Sequence, residues 1–340
     1  MKESGYVVSV VGATGLVGAE IITALEQRRF PLADLRPYAS VRSAGDEVQC
    51  GDLKARIDIL ERARFEGTDV VFFAAGERVS AEWIDRATEA GAVVIDTSQL
   101  LAADSDTPLI VPEVNAKELV DFGSSRQVVV SPDAPAIALA IVLKPLQDAA
   151  GITRLVCSTF EPVSTAGRAG IDELQRQTVE LMNGRSTENE FFPQRIAFNV
   201  LPHIGELLAG GTSRGEAQVA AAVRRLLEDS ALPVSITRAY VPVFYGAALS
   251  VSVETVQKLT ATEARAALRN APGILLQDDA ATAQYPTCVE AVGQDAALVG
   301  RIREDEGLNV IDLWIGLDNV RKGAAVNAVQ IAELLIRNYL

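Results

Sequence analysis

Residues 12–18 read GATGLVG, placed between an apolar run, YVVSVV (6–11), and a helical pattern of apolar residues from Leu16 to Leu25. Three glycines at this spacing each answer a different physical need. Gly12 permits a tight turn, Gly15 lets the backbone approach a phosphate, and Gly18 lets the helix pack close to its strand. The helix start adds unpaired N–H groups and a positive dipole end, which together favour an anion. The segment therefore predicts a dinucleotide site formed by Gly12, Ala13, Thr14, Gly15, Leu16 and Val17. After the second strand comes ASVRSAG (39–45), with Arg42 and Ser43 where an NAD site usually carries a carboxylate for the ribose 2′-OH. A guanidinium and a hydroxyl suit a 2′-phosphate instead, so NADP is expected over NAD. The competing reading is a glycine-rich structural turn beside a solvated Arg42.

Elsewhere the chemistry-bearing residues are few. The chain has one histidine, His203 in VLPHIGE (200–206), so a histidine-based metal site is close to excluded. A lone histidine in a Pro-flanked loop is expected to be a hydrogen-bonded structural residue. Cys50, Cys157 and Cys288 are odd in number, far apart and without Cys-x-x-Cys spacing. That pattern argues against a disulfide or metal framework and fits a reducing cytoplasm. Cys157, inside the apolar run RLVCSTF (154–160), reads as a buried, inert thiol, and Cys50 and Cys288 as incidental. The segment SPDAPAIALA (131–140) is a strand-to-helix corner of the kind at which many α/β enzymes present a nucleophile, yet its apex is Ala134.

The elements that must position these residues follow from hydrophobic patterning. In the first third, strands are expected at 6–12, 35–40, 69–76, 92–98 and 127–132, alternating with helical segments. Continuously apolar strands are buried on both faces, as a parallel sheet flanked by helices requires. From about Arg154 the texture changes: RLVCSTF is a strand, 170–183 a helix, and 210–215 a Gly/Thr/Arg-rich loop. Two alternating strands, VSITRAYV (234–241) and AALSVSVE (247–254), flank a turn at Tyr245-Gly246. Thr260 with Glu263 forms a capping box that opens a helix to about Asn270. Strands near 274–277, 298–302 and 310–316 complete a mixed, largely antiparallel sheet. The last segment, from Arg321, is an amphipathic helix with Val329, Ala332, Leu335 and Ile336 on its apolar face, returning to the first domain. The fold class is α/β: a Rossmann-type doubly wound domain (1–132 plus 321–340) and an α/β domain with a mixed sheet (133–320).

Composition sets outer limits. The 340 residues suffice for two domains. A net charge of −14 leaves no basic stripe for nucleic acid and disfavours an anionic membrane surface. The longest apolar run, Ala134 to Leu143, is roughly half of a membrane span. No signal peptide is expected, since Lys2 and Glu3 precede a short strand.

The motifs GATGLVG, SVRSAG (40–45), FAAG (73–76), VPEVN (111–115), LKPL (143–146), FPQRIAFNVLPHIGE (192–206) and DNVRKGAAVNAVQIAELLI (318–336) together resemble aspartate-semialdehyde dehydrogenases, in order and over essentially the whole chain. That resemblance implies a homodimeric, NADPH-dependent family of amino-acid biosynthesis, which reduces an acyl phosphate to an aldehyde. A cysteine thiolate forms a thioacyl intermediate and a histidine acts as acid/base. On the same resemblance, the family's N-P-N-C becomes Ser131-Pro132-Asp133-Ala134, and its G-H-S becomes Gly246-Ala247-Ala248. The substrate-anchoring arginines fall on Ala102 and Tyr240, the glutamine after S-T-Y falls on Glu161, and the Glu–Lys pair on Ala222 and Arg225. The pattern resembles the Usg-type paralogues, which lack the catalytic residues.

Three readings follow. The first is a non-catalytic, NADP-binding homodimer, with a true dehydrogenase as a possible partner. The second is an NADP-dependent oxidoreductase on another substrate without a thioacyl intermediate, taking its proton from Tyr240, Tyr245, Asp133 or Glu161. The third is a purely structural protein with a closed nucleotide cleft. Asp133 and Glu161 are expected to approach the vacated pocket, solvated or paired with Arg168 or Arg225. Arg321, Lys322 and Asn319 match a family segment near the cofactor, with Asn319 either touching the nicotinamide side or packing the helix start.

Overall fold

The computed structural model describes residues 2, 4–119, 122, 127–305 and 307–340. The chain divides into two compact units, Met1–Asp133 with Ala324–Leu340, and Ala134–Gly323.

The first unit is built on a six-stranded sheet. Its strands are β1 (Tyr6–Val11), β2 (Leu32–Ala39), β5 (Asp58–Ile59), β6 (Val70–Phe73), β7 (Val93–Asp96) and β8 (Val128–Val130), in the order β5-β2-β1-β6-β7-β8. Every pairing in it is parallel. A side hairpin, β3 (Glu47–Cys50) with β4 (Leu53–Arg56), has no counterpart in the sequence reading. Side chains alternate along each strand, so two cores form. Val8, Val10, Val70, Phe72 and Ile95 pack with α1 (Leu16–Gln27) and α9 (Asn327–Asn338). Val11, Val71, Phe73 and Val94 pack with Trp83 and Ile84 of α2 (Glu77–Glu89) on the other face. A short helix, α3 (Pro112–Asn115), precedes β8. The order of the sheet reverses between β1 and β6, and ligands of such sheets bind outside the strands' carboxyl ends at that switch point.

The second unit carries a sheet ordered β10-β9-β11-β14-β13-β12. The strands are β9 (Ile152–Glu161), β10 (Val234–Tyr240), β11 (Ala247–Thr255), β12 (Ile274–Leu276), β13 (Ala297–Glu304) and β14 (Val310–Leu317). The two outer pairings are parallel and the three inner ones antiparallel, which makes the sheet mixed. β10 and β11 follow each other across Tyr245-Gly246 but do not pair, because β9 lies between them. The helices are α4 (Ala134–Ala150), α5 (Gly167–Met182), α6 (Arg214–Leu226), α7 (Ala261–Arg269) and α8 (Cys288–Ala291). α7 opens on the Thr260–Glu263 capping box. The expected loop at 210–215 is corrected at its end. Ser213 and Glu216 form a second capping box, so α6 begins at Arg214. Arg321–Val326 is a π-helical turn, and α9 proper starts only at Asn327. Among the described residues no helix is long and apolar enough to cross a membrane.

Candidate functional site

In the first unit, the GATGLVG loop leaves the carboxyl end of β1. Gly12 has φ +89°, and a Cβ there would stand 2.7 Å from the Ala74 carbonyl oxygen. A Cβ on Gly18 would stand 2.1 Å from the Gly12 carbonyl oxygen, so only glycine lets α1 sit this close to the turn. Gly12 and Ala13 donate their N–H groups to the Tyr38 carbonyl, which ties the loop to the end of β2. Gly15 is the N-cap of α1 and supplies no side-chain cap, and the first turn carries no acidic residue. An uncapped helix start without a competing carboxylate suits a pyrophosphate, so the loop fits a dinucleotide.

Arg42 and Ser43 lie on a 3₁₀ turn, Val41–Ser43, just past the end of β2. Ser43 donates to the Thr14 hydroxyl at 3.3 Å, which brings the two segments predicted to hold the cofactor together. Arg42 is exposed and makes no ion pair among the described residues. In α9, Asn327 is fully buried and donates to the Ile110 carbonyl and, at 2.8 Å, to the Ser131 hydroxyl, while its own Oδ1 has no partner. A buried acceptor left open near the carboxyl end of β8 is one the sequence reading did not single out.

In the second unit, Ala134 is the first residue of α4, half-buried, with its Cβ against Gly323. The second position, Ala247, belongs to one row of the sheet. Tyr240 pairs with Glu161, and Ala248 with Phe160, which sets Ala247 beside Glu161. Residues paired in register share a face, so Tyr240, Glu161 and Ala247 line up across three strands. Ala247 and Glu161 are each 1 % exposed. Asn319 accepts from the Gly246 N–H at 3.2 Å and donates to the Ser164 hydroxyl at 3.0 Å, fixing the turn before Ala247. Its amide thus bonds within this unit, to the turn before Ala247 and to Ser164. Arg321 donates to Asp295 at 2.6 Å, and Lys322 is fully buried.

Glu161 corrects an expectation. It pairs neither with Arg168, which is exposed, nor with Arg225. Arg238 donates from Nε and Nη2 to both its carboxylate oxygens, at 2.7 and 2.8 Å. No uncompensated negative charge therefore stands in this row. Burial, with the neighbouring Glu161 charge, pushes the Tyr240 phenol up to about 12. Ala222 is buried in α6, and Ala102 and Asp133 belong to the first unit.

Cys157 is buried, as its apolar sequence context implies. Cys157 is 2 % exposed, and burial, with Glu161 adding to it, holds its thiol far above the usual range. Cys50 is buried and Cys288 half-buried, both raised by desolvation. His203 departs from expectation: its backbone N–H reaches the Leu201 carbonyl, but its imidazole makes no hydrogen bond among the described residues. Among those residues no group of His, Cys, Asp and Glu could hold a metal.

On the far face of the same sheet, Ser250, Tyr285, Arg301, Arg303 and Trp314 line a cleft of about 640 Å³. Phe160 stacks on Trp314 there at 5.5 Å.

Comparison with known proteins matches residues 7–122 to the NAD binding domain of semialdehyde dehydrogenases and residues 143–322 to their dimerisation domain. An aspartate-semialdehyde dehydrogenase of Legionella pneumophila is 42% identical over 340 residues, covering 98% of this chain and 96% of the relative. One from Aquifex aeolicus is 40% identical over 339 residues, covering 99% of both. The crystal structure of aspartate semialdehyde dehydrogenase II from Vibrio cholerae, complexed with ASA, superposes with a TM-score of 0.96 at 40% identity and covers 99% of each chain.

Proposed function

The chain belongs to the aspartate-semialdehyde dehydrogenase family, and on that premise we propose that it binds NADP(H) but does not carry out the phosphorylating semialdehyde dehydrogenase reaction. One observation carries the reading: methyl groups stand at both chemical positions, Ala134 at the start of α4 and Ala247 at the start of β11. A methyl group has no lone pair to attack an acyl carbon and no proton to exchange, so neither thioester formation nor its acid/base step has an agent. Loss of one essential member of such a unit costs on the order of 10⁴–10⁶ in turnover. The aspartate-pathway scaffold without its machinery is that of a Usg-type paralogue.

NADP is favoured over NAD by Arg42 and Ser43 beside Thr14. If NADP is bound, the GATG loop and the α1 N-terminus hold its pyrophosphate and Arg42 its 2′-phosphate. The nicotinamide would supply a hydride acceptor, for which this chain offers no thiohemiacetal to oxidise. A homodimer is favoured by the match to a dimerisation domain and by the half-exposed face that carries Phe160 and Trp314. A catalytically intact relative is the alternative partner.

The second reading, proton transfer by Glu161 or Tyr240 to another substrate, meets two obstacles. Both Glu161 oxygens are engaged by Arg238, and a phenol near 12 is a weak acid at neutral pH. A screen of aldehydes and keto acids for NADPH oxidation tests it. Turnover that is lost in Tyr240→Phe would favour that reading over ours.

A further inference from the structure

Arg238 is held from several sides before Glu161 is considered. It is 4 % exposed. Its Nη1 donates to the Gly215 carbonyl at 3.2 Å, and its backbone N–H to Glu216 at 3.1 Å. A Cβ on residue 215 would lie 2.9 Å from Nη1, so a glycine there is what gives the guanidinium its room. The remaining edge of the fork, Nε and Nη2, faces the two oxygens of Glu161. Parallel bonds of this kind are how an arginine takes a free carboxylate from solution. Here the carboxylate comes from the neighbouring strand, positioned further by the Thr159 hydroxyl at 2.8 Å.

The location gives the pair a meaning beyond packing. Arg238 lies two residues before Tyr240 on β10, hence on the same face as the row that holds Tyr240, Glu161 and Ala247. Buried pairs recover about what their desolvation costs, so stability alone is a weak reason to keep one. Taking that row as the vacated substrate pocket, as the functional reading does, we propose that Arg238 forms a carboxylate-binding subsite whose occupant is carried in cis. The Glu161 side chain is the bound ligand, and while it is present no small carboxylate can enter. Removing that side chain uncovers a site for small monocarboxylates such as formate or acetate.

The experiment is thermal unfolding of Glu161→Ala in sodium formate or acetate, against sodium chloride at equal ionic strength and pH. Loss of one partner of a buried pair lowers Tm by about 10 °C. The proposal expects formate to restore at least half of that loss with a saturating dose response, and chloride to restore none. Glu161→Ala/Arg238→Met should lack the response. Equal recovery in chloride, no recovery in formate, or a Tm at the wild-type value overturns the proposal. Should Glu161→Ala not fold in ordinary buffer, refolding decides: recovery in formate alone supports the subsite, and failure in both salts overturns it. Wild-type dehydrogenase activity, which tests the functional reading, plays no part in this result.

Discussion

Gly18→Ala puts the cofactor geometry under the most direct strain. The new Cβ would stand 2.1 Å from the Gly12 carbonyl oxygen, 2.7 Å from its carbon and 3.0 Å from the Ala13 Cα, whereas ordinary contact begins near 3.4 Å. All three atoms are backbone, so no side-chain rotation relieves the clash, and α1 or the loop must move by roughly 1 Å or more. That displacement is enough to break a hydrogen bond between the helix start and a phosphate, since such bonds weaken steeply with distance. A bond to a charged group contributes about 1.5–3 kcal/mol, so losing one weakens NADP binding at least tenfold. Overpacking should also cost about 1–3 kcal/mol of stability. Titration calorimetry with NADP, with urea unfolding alongside, reads both quantities. Gly67→Ala is the control, because φ there is +71° but nothing lies within 4 Å of the added carbon. It should lose a little stability and no cofactor affinity. A Gly18→Ala protein that binds NADP as tightly as wild type would refute the argument, and the glycine spacing would then be structural only.

Arg42→Ala should weaken NADP about tenfold or more while leaving NAD unchanged, because the guanidinium is assigned to the 2′-phosphate alone; equal loss for both cofactors contradicts that assignment. Native protein should leave Cys157 unmodified by a thiol reagent at pH 8, with labelling appearing only on unfolding, as mass spectrometry of tryptic peptides would read. Asp96, buried at the end of β7, has its carboxyl raised by desolvation despite hydrogen bonds from Ser80 and Ser98. The native state therefore holds that proton more tightly than the unfolded chain. This group's contribution to stability is full below its unfolded value, near 4, and falls as pH rises to its raised native value. Asp96→Asn should remove that component of the slope in urea titrations run upward from about pH 4, and an unchanged slope would discount it.

How much of this was legible in the sequence depended on how local each feature is. GATGLVG announces itself because three glycines, a strand and a helix start are contiguous, and Gly12 and Gly18 meet the turn and the close helix packing that their spacing implies. The Thr260–Glu263 box is equally local. Ser213–Glu216 carries the same signature but sits in a glycine-rich stretch that reads as loop, so α6 was hidden by composition. Long-range pairing was not legible. The turn at Tyr245-Gly246 suggests neighbours, yet the seat beside each flanking strand is taken by β9, far earlier in the chain. Glu161 shows the same limit more sharply. Taken alone it puts a charge in an apolar row, and only the fold brings Arg238, 77 positions away, to neutralise it.

The central claim is that the scaffold keeps its cofactor site without its reaction. Its most direct test is one assay on the wild-type protein: NADP reduction at 340 nm with aspartate semialdehyde and inorganic phosphate, on a sample already shown by calorimetry to bind NADP. The account predicts saturable NADP binding and a rate indistinguishable from the no-protein blank. Phosphate-dependent turnover above that blank would contradict it, and would mean that some group other than those at positions 134 and 247 performs the chemistry.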